Sequence, residues 1–236
     1  MVINIQQKDF GGRLRSGDIL GICNILEHIR KVEQNTDIKY HLSDEAIQPD
    51  EYVIKFRNFL IDHTDYFSMV PGDRYFPFER LNCWDYRATS GDLVKVDNTK
   101  YQKENKVCIF PLLDAAYNFY RNWSIDTTKN LIEHYKKKYD AKIIICAHDR
   151  CKDIIETNFP GLEYSYDYMQ NINHVITCKY FAGGDTATSH LASSVINKPN
   201  NLFLYSSESL FHAFPLNHRQ NEMVMYSKFG CNFDGK

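Results

Sequence analysis

The sequence predicts an α/β protein with mostly parallel sheets. In its second half, apolar runs of strand length alternate with segments whose apolar residues recur at helical spacing. One run, residues 141–147, is apolar except for Lys142, as expected for a strand covered on both faces of its sheet. Another run leads through two glycines into a helix start at residues 183–190. Together these observations favour a doubly wound sheet with helices on both faces.

The first half of the chain begins with a short predicted strand over residues 2–5 and a predicted helix over residues 18–32. Within this helix, apolar residues recur three or four positions apart from Ile19 to Ile29. The same rules predict three further elements: a strand over 38–42, a helix over 51–61 and a short strand over 66–70. Residues 71–101 mix proline, glycine, aspartate and aromatic residues, which indicates irregular surface structure or the join between two halves.

The second half is predicted to repeat a strand–helix pattern. Its predicted strands cover residues 106–111, 141–147, 175–181 and 202–205, with a weaker strand signal over 223–226. Its predicted helices cover residues 124–139, 149–158 and 187–197. In parallel sheets of this kind, ligands bind beyond the carboxyl ends of the strands. The turn at residues 183–190 and the loop after Phe110 are therefore expected at the ligand-binding edge.

Composition narrows the class of protein. The chain has 236 residues, a hydrophobic fraction of 43% and a net charge of −2, so it has no general attraction for nucleic acid. No apolar run approaches the roughly 18–20 residues that span a bilayer, and the N-terminus does not resemble a secretory signal. Seven scattered cysteines without a C-x-x-C predict a reduced, cytoplasmic protein. Cys146, His148 and Cys151 lie close in sequence, but without an evident fourth ligand we predict no metal site.

The turn at residues 183–190 has chemistry suited to an anion. Gly183 and Gly184 permit tight backbone and close approach of a ligand. Four residue types that favour helix N-termini follow: Asp185, Thr186, Thr188 and Ser189. A helix start presents free N–H groups and the positive end of the helix dipole, and His190 can donate to a phosphate or a sugar. A phosphate-bearing ligand is one interpretation. An ordinary strand-to-helix turn, with His190 capping it, is the other.

Several motifs resemble one enzyme family. They are Arg15-Ser-Gly-Asp-Ile-Leu20, Cys108-Ile-Phe-Pro111, Tyr120-Arg-Asn-Trp-Ser124, Gly184-Asp-Thr-Ala-Thr-Ser-His-Leu-Ala192 and Lys198-Pro199. In type and order they resemble the heptosyltransferase-like glycosyltransferases, of the ADP-heptose:lipopolysaccharide type. The resemblance covers residues near 13–42 and 106–205. Ala187 stands where the family usually has glycine.

The resemblance implies a GT-B-like fold of two Rossmann-like halves, the first of them trimmed because the chain is short. Residues 1–104 would form the acceptor-side domain, and residues 105–236 the domain that binds a nucleotide sugar. The implied activity transfers a sugar from a nucleotide sugar to a hydroxyl acceptor. No cofactor is expected, and no metal either, which agrees with the lack of an Asp-x-Asp motif in the sequence.

The resemblance also assigns roles to residues. Asp18 would be the catalytic base that deprotonates the acceptor. The donor's phosphates and sugar would be bound by Arg121, Gly184, Asp185, Thr186, Ala187, Ser189 and His190. Arg13 and Arg15 could hold acceptor or donor phosphate. Each role has a plainer alternative: a helix-terminal carboxylate for Asp18, a surface arginine for the three arginines and an N-cap for Asp185. If Asp18 is not the base, the next candidates are Asp44, Asp85 and Asp92.

The acceptor stays open between two kinds. One is a surface glycan of the lipopolysaccharide type, and the other is a hydroxymethylated base in phage DNA. The second rests on basic and aromatic residues that are interleaved in the central segment, such as Arg80, Trp84 and Tyr86, where a solvated loop is the alternative. A non-catalytic nucleotide-sugar-binding module of the same fold is the competing function. A dinucleotide-binding oxidoreductase is disfavoured, because residues 11–17 do not form G-x-G-x-x-G between a strand and a helix.

Overall fold

The computed structural model of the protein describes residues 1–6, 12–75, 94–111, 123–184, 186–206 and 222–226, with backbone only for 201–206 and 222–226. The chain divides into two compact units, Met1–Asp97 and Asn98–Lys236. Each unit has its own sheet. No helix in the described ranges is both long enough and apolar enough to cross a membrane.

The first unit contains a small parallel sheet. Its described strands, in the spatial order β2-β1-β3, are β1 (Val2–Ile5), β2 (Lys39–Leu42) and β3 (Arg74–Tyr75). Its described helices are α1 (Ser16–Val32), α2 (Glu51–His63) and a 3₁₀ turn at Asp44–Ala46. The apolar face of α1 is buried from Ile19 to Leu26, as its spacing predicts, while Ile29 is half-buried. The helix packs against α2, whose Phe56 and Leu60 are fully buried. Buried Arg30 joins the end of α1 to β2, because its Nε donates to the Ile38 carbonyl at 2.8 Å.

The prediction of a strand over residues 66–70 is wrong. Only an isolated bridge between Tyr40 and Phe67 forms there. The third strand lies later, where the chain crosses close to β1. The Asn4 side chain holds both backbone groups of Gly72, donating to its carbonyl at 2.7 Å and accepting its N–H at 2.9 Å. A Cβ at Gly72 would lie 2.2 Å from the Val2 carbonyl oxygen, so only glycine fits at this crossing.

The second unit contains a larger parallel sheet. Its described strands are β4 (Glu104–Phe110), β5 (Lys142–Cys146), β6 (Glu163–Ser165), β7 (Cys178–Gly183), β8 (Asn201–Ser206) and β9 (Glu222–Tyr226). Its described helices are α3 (Ile125–Tyr139), α4 (Lys152–Asn158), α5 (Tyr168–Thr177) and α6 (Ala187–Ser194), with a 3₁₀ turn at Asp149–Cys151. The predicted α/β class with mostly parallel sheets is confirmed.

The strand order of the second sheet is β6-β5-β4-β7-β8-β9, and all the described neighbours are parallel. Counted along this unit, that is 3-2-1-4-5-6, the order of Rossmann sheets. The strand order reverses between β4 and β7. The core beside these strands is built from Val107, Ile109, Leu131, Ile145 and Tyr180.

The strand predicted over residues 175–181 begins three residues later than expected. Residues up to Thr177 belong to α5, which the sequence analysis missed together with β6. Asp167 starts α5, since its side chain accepts the Gln170 N–H at 2.8 Å. Ile172, Val175 and Ile176 then bury one face of the helix. The apolar run therefore spans a helix end and a strand start.

Candidate functional site

The point where the second sheet reverses its strand order lies between β4 and β7. Phe110 at the end of β4 pairs in register with Gly183 at the end of β7. From the two strands the chain leaves toward opposite halves of the sheet, and in such folds a ligand-binding crevice opens at this point. The turn that follows Gly183 therefore stands where the sequence predicts a ligand.

This turn is tightly packed. A Cβ on Gly183 would lie 2.7 Å from the Phe181 ring and 2.8 Å from the Ser189 Oγ. The Phe181 ring is buried and packs on the Phe110 ring, with 5.4 Å between their centroids. The Ser189 hydroxyl donates to the Gly184 carbonyl, which fastens α6 back onto the turn. Glycine at position 183 is therefore a packing requirement of this edge of the sheet.

The start of α6 has donors that its N-cap side chain does not use. Thr186 is the N-cap, in extended backbone with φ −146° and ψ 165°. Its hydroxyl contacts the Thr188 hydroxyl at 2.8 Å and caps no backbone N–H. The Thr186 carbonyl accepts the N–H groups of Ser189 at 3.1 Å and His190 at 3.2 Å. The first N–H groups of any helix have no intrahelical acceptor, so this start can bind an anion.

His190 is more buried than expected for a residue that lines an open cleft. Only 4% of it is exposed, and α6 is buried from Thr188 to Ser194. The His190 carbonyl accepts the hydroxyls of Ser193 at 2.9 Å and Ser194 at 2.7 Å. A polar helix of small residues is therefore held inside the unit beside the turn.

The structure describes some of the donor-side residues predicted from the sequence. Gly184, Thr186, Ala187, Ser189 and His190 come together at the turn and the first turn of α6. Arg121 and Asp185 lie outside the described residues, and so does the loop that follows Pro111.

In the first unit, Asp18 lies in the first turn of α1 and is half-buried. Its Oδ2 accepts the backbone N–H of Arg15 at 2.9 Å, so one carboxylate oxygen caps the helix. Arg13 and Arg15 beside it are exposed. Asp44, which follows β2 at the carboxyl edge of the same sheet, pairs with the Arg57 guanidinium. Asp85 and Asp92 lie outside the described residues.

Polar residues also follow the neighbouring strand, and of these the sequence pointed only to His148, as a metal ligand. His148, Asp149 and Arg150 follow β5, which lies next to β4 at the same carboxyl edge. Their position directly after a buried strand was the available signal. Cys146 and Cys151, considered with His148 for a metal, are both buried. Within the described part of the chain, no group of three His, Cys, Asp or Glu side chains could hold a metal ion.

No family model matches the sequence, and neither does any curated protein. Among solved structures, the chain is similar to a glycosyl transferase family 9 protein from Veillonella parvula DSM 2008. The TM-score is 0.53 at 9% identity, and the match covers 100% of this chain and 89% of the other. At this identity the likeness shows a shared fold, of the GT-B type that the motifs implied.

Proposed function

We propose that this protein transfers a sugar from a nucleotide sugar to a hydroxyl group of an acceptor without using a metal. The observation that carries the proposal is the glycine turn and the start of α6 at the order reversal of a 3-2-1-4-5-6 sheet. A diphosphate suits this place, since the first N–H groups of α6 and the positive end of its dipole lie there. The fold shared with a glycosyl transferase supports the same reading.

The chemistry divides between the two units. On the donor side, the α6 start and Arg121 stabilise the departing diphosphate, while His190 donates to a phosphate or sugar oxygen. Thr186 and Ser189 shape the start of the helix, and Asp185 is proposed to contact the donor. On the acceptor side, Asp18 takes the proton of the attacking hydroxyl.

The acceptor is proposed to be a surface glycan of the lipopolysaccharide type or a hydroxymethylated base in phage DNA. The first follows from the resemblance of the motifs. The second rests on the basic and aromatic residues interleaved in the central segment, of which Arg80, Trp84 and Tyr86 lie outside the described residues. The proposed setting is the cytoplasm, which agrees with the free thiols of the buried cysteines.

A non-catalytic module that binds a nucleotide sugar is the second candidate. One observation favours it: the carboxylates of Asp18 and Asp44 each have a structural partner already, a helix N–H and the Arg57 guanidinium. Such a module binds the donor as an enzyme would and lacks only the base. Donor binding and transfer must therefore be measured separately.

Thermal unfolding with a panel of nucleotide sugars tests the binding step. A ligand specific for the folded state raises the melting temperature. At a concentration of 100 times its Kd, it adds about 2.7 kcal/mol to the free energy of unfolding. Thr188→Val should weaken the effect of the active nucleotide sugar, while Ser193→Ala in the next turn of the same helix serves as the matched control. No shift with any nucleotide sugar would refute the proposal.

Transfer is then measured with the donor that binds, with and without a chelator. We expect binding and turnover to persist when divalent metals are removed. Turnover that stops with the chelator and returns with magnesium would contradict the metal-free mechanism. Binding without transfer to any glycan or DNA acceptor would support the non-catalytic module.

A further inference from the structure

The amino end of the second sheet holds a cluster of titratable side chains, on the edge opposite to the proposed donor site. Lys103 directly precedes β4, and Glu104 pairs in register with Cys178 at the start of β7. The other members come from β4 and α5: Lys106, Cys108 and His174. The proposed function uses none of them.

The two lysines of this cluster differ in their partners. The Lys106 Nζ donates to Glu104 Oε1 at 2.8 Å and contacts His174 Nδ1 at 3.2 Å. The Lys103 Nζ is buried and has no hydrogen-bond partner among the residues that the structure describes. The rest of the Lys103 side chain is only half-buried, so its amine is turned inward from a surface position.

An ammonium group in this position is poorly stabilised, because a buried charge needs an acceptor. Burial lowers the pKa of the Lys103 side chain, and the positive charge of Lys106 lowers it further. The nearby thiols supply no negative charge, since burial raises the pKa of Cys108 and Cys178 well above the ordinary range. The nearby carboxylate, Glu104, is 57% exposed and already held by Lys106.

We propose that Lys103 is a carbamylation site that reacts with dissolved carbon dioxide. The lone pair of the uncharged amine attacks the carbon of CO₂, one C=O π bond becomes an oxygen anion, and the nitrogen loses a proton to water. The product is an N-carboxylate, and no oxidant or reductant is needed. Carbon dioxide is small and uncharged, so it suits an amine that is turned away from solvent.

Carbamylation replaces the poorly stabilised positive charge of Lys103 with a negative charge. A carbamate is an anion, and the Lys106 ammonium and the His174 ring lie in the same cluster to accompany it. Carbamylation needs an uncharged amine, and a buried amine without a hydrogen-bond partner favours that form at Lys103. Lys103 is therefore expected to be modified selectively among the described lysines.

The test equilibrates the full-length protein with ¹³C-labelled bicarbonate, traps carbamates with a trialkyloxonium reagent and maps the label by peptide mass spectrometry. We expect the label on Lys103. Lys103→Met should remove it, while Lys100→Met, three residues earlier, should keep it. Mapping by peptide separates Lys103 from any α-amino group that also reacts.

Two further measurements keep the proposal open to refutation. Lys106→Met should reduce the trapped label several-fold, because it removes the charge that favours both the free amine and the carbamate. Bicarbonate should raise the melting temperature of the wild type and leave that of Lys103→Met unchanged. Absence of the label from Lys103 in folded wild-type protein would overturn the proposal, and so would an equal melting shift in both proteins.

Discussion

At the scale of single residues, each candidate has a structural contact that competes with its proposed chemical role. Asp18 caps α1, and His190 is buried within its unit. Both positions could be predicted as candidates from the sequence, because residue type and local spacing indicate which side chains follow a strand or begin a helix. It could not tell how deeply His190 is buried, because burial depends on elements distant in the chain.

Asp18→Asn separates the two roles of this carboxylate. Asparagine keeps an oxygen that can accept the Arg15 N–H, so the melting temperature should change little. Donor affinity should also stay the same, because the base acts on the acceptor. Turnover should fall by about 100- to 10,000-fold, the usual contribution of a positioned base. Asp44→Asn is the control on the same sheet edge, and near-normal turnover in Asp18→Asn would end the catalytic assignment.

His190→Ala should weaken donor binding by about 1–3 kcal/mol, through loss of a hydrogen bond to a charged group. Because His190 is almost fully buried, we also expect the free energy of unfolding to fall by about 1–3 kcal/mol. Leu191→Ala should lower stability without changing donor affinity in the folded protein. Calorimetry and denaturant unfolding on both variants distinguish these effects, and equal donor affinities would leave His190 a packing residue.

At the scale of elements, regular spacing and good caps made prediction succeed, and short or merged elements made it fail. The helix at Ile125–Tyr139 was predicted closely because Ser124 accepts the Thr127 N–H at its start. The strand β6 has only three residues, too few for a pattern. The run that joins α5 to β7 is mostly apolar, and its sequence predicts a single strand because no glycine or proline marks the boundary.

Gly183→Ala tests the packed turn between β7 and α6. The new methyl group would meet the buried Phe181 ring and the Ser189 hydroxyl, so we expect a loss of about 1–3 kcal/mol in the free energy of unfolding. Gly12→Ala is the matched control, since a Cβ there meets nothing within 4 Å. Urea unfolding of both variants gives the comparison. Equal free energies of unfolding in the two variants would show that the turn accommodates the methyl group without cost.

At the scale of the whole molecule, the α/β class could be read from the alternation of elements, while the strand order could not. Pairing of β4 with β7 joins segments separated by α3, β5, α4, β6 and α5. No local pattern records such a partner, because register and neighbours follow from packing of the complete sheet. The position of the site at the order reversal therefore became visible only with the fold.

The DNA branch of the proposed function makes a prediction about the whole protein. With a net charge of −2, any binding of duplex DNA must come from a local basic surface. If the acceptor is a modified base, affinity for duplex DNA should be measurable at low salt and fall steeply as salt rises, because neutralised phosphates release counterions. A fluorescence anisotropy titration measures this. Failure to bind duplex DNA at low salt would leave the glycan acceptor.

The central place of β4 also governs how the second unit is made on the ribosome. One edge of β4 gains β5 early, but the other edge waits for β7, which is synthesised about 70 residues later. Ribosomes add roughly 5–20 residues per second, so the second edge of β4 stays unpaired for several seconds in every newly made chain. An open strand edge is a template for wrong pairing. Yield at high expression should therefore depend on slow synthesis or on chaperones that shield residues 104–110.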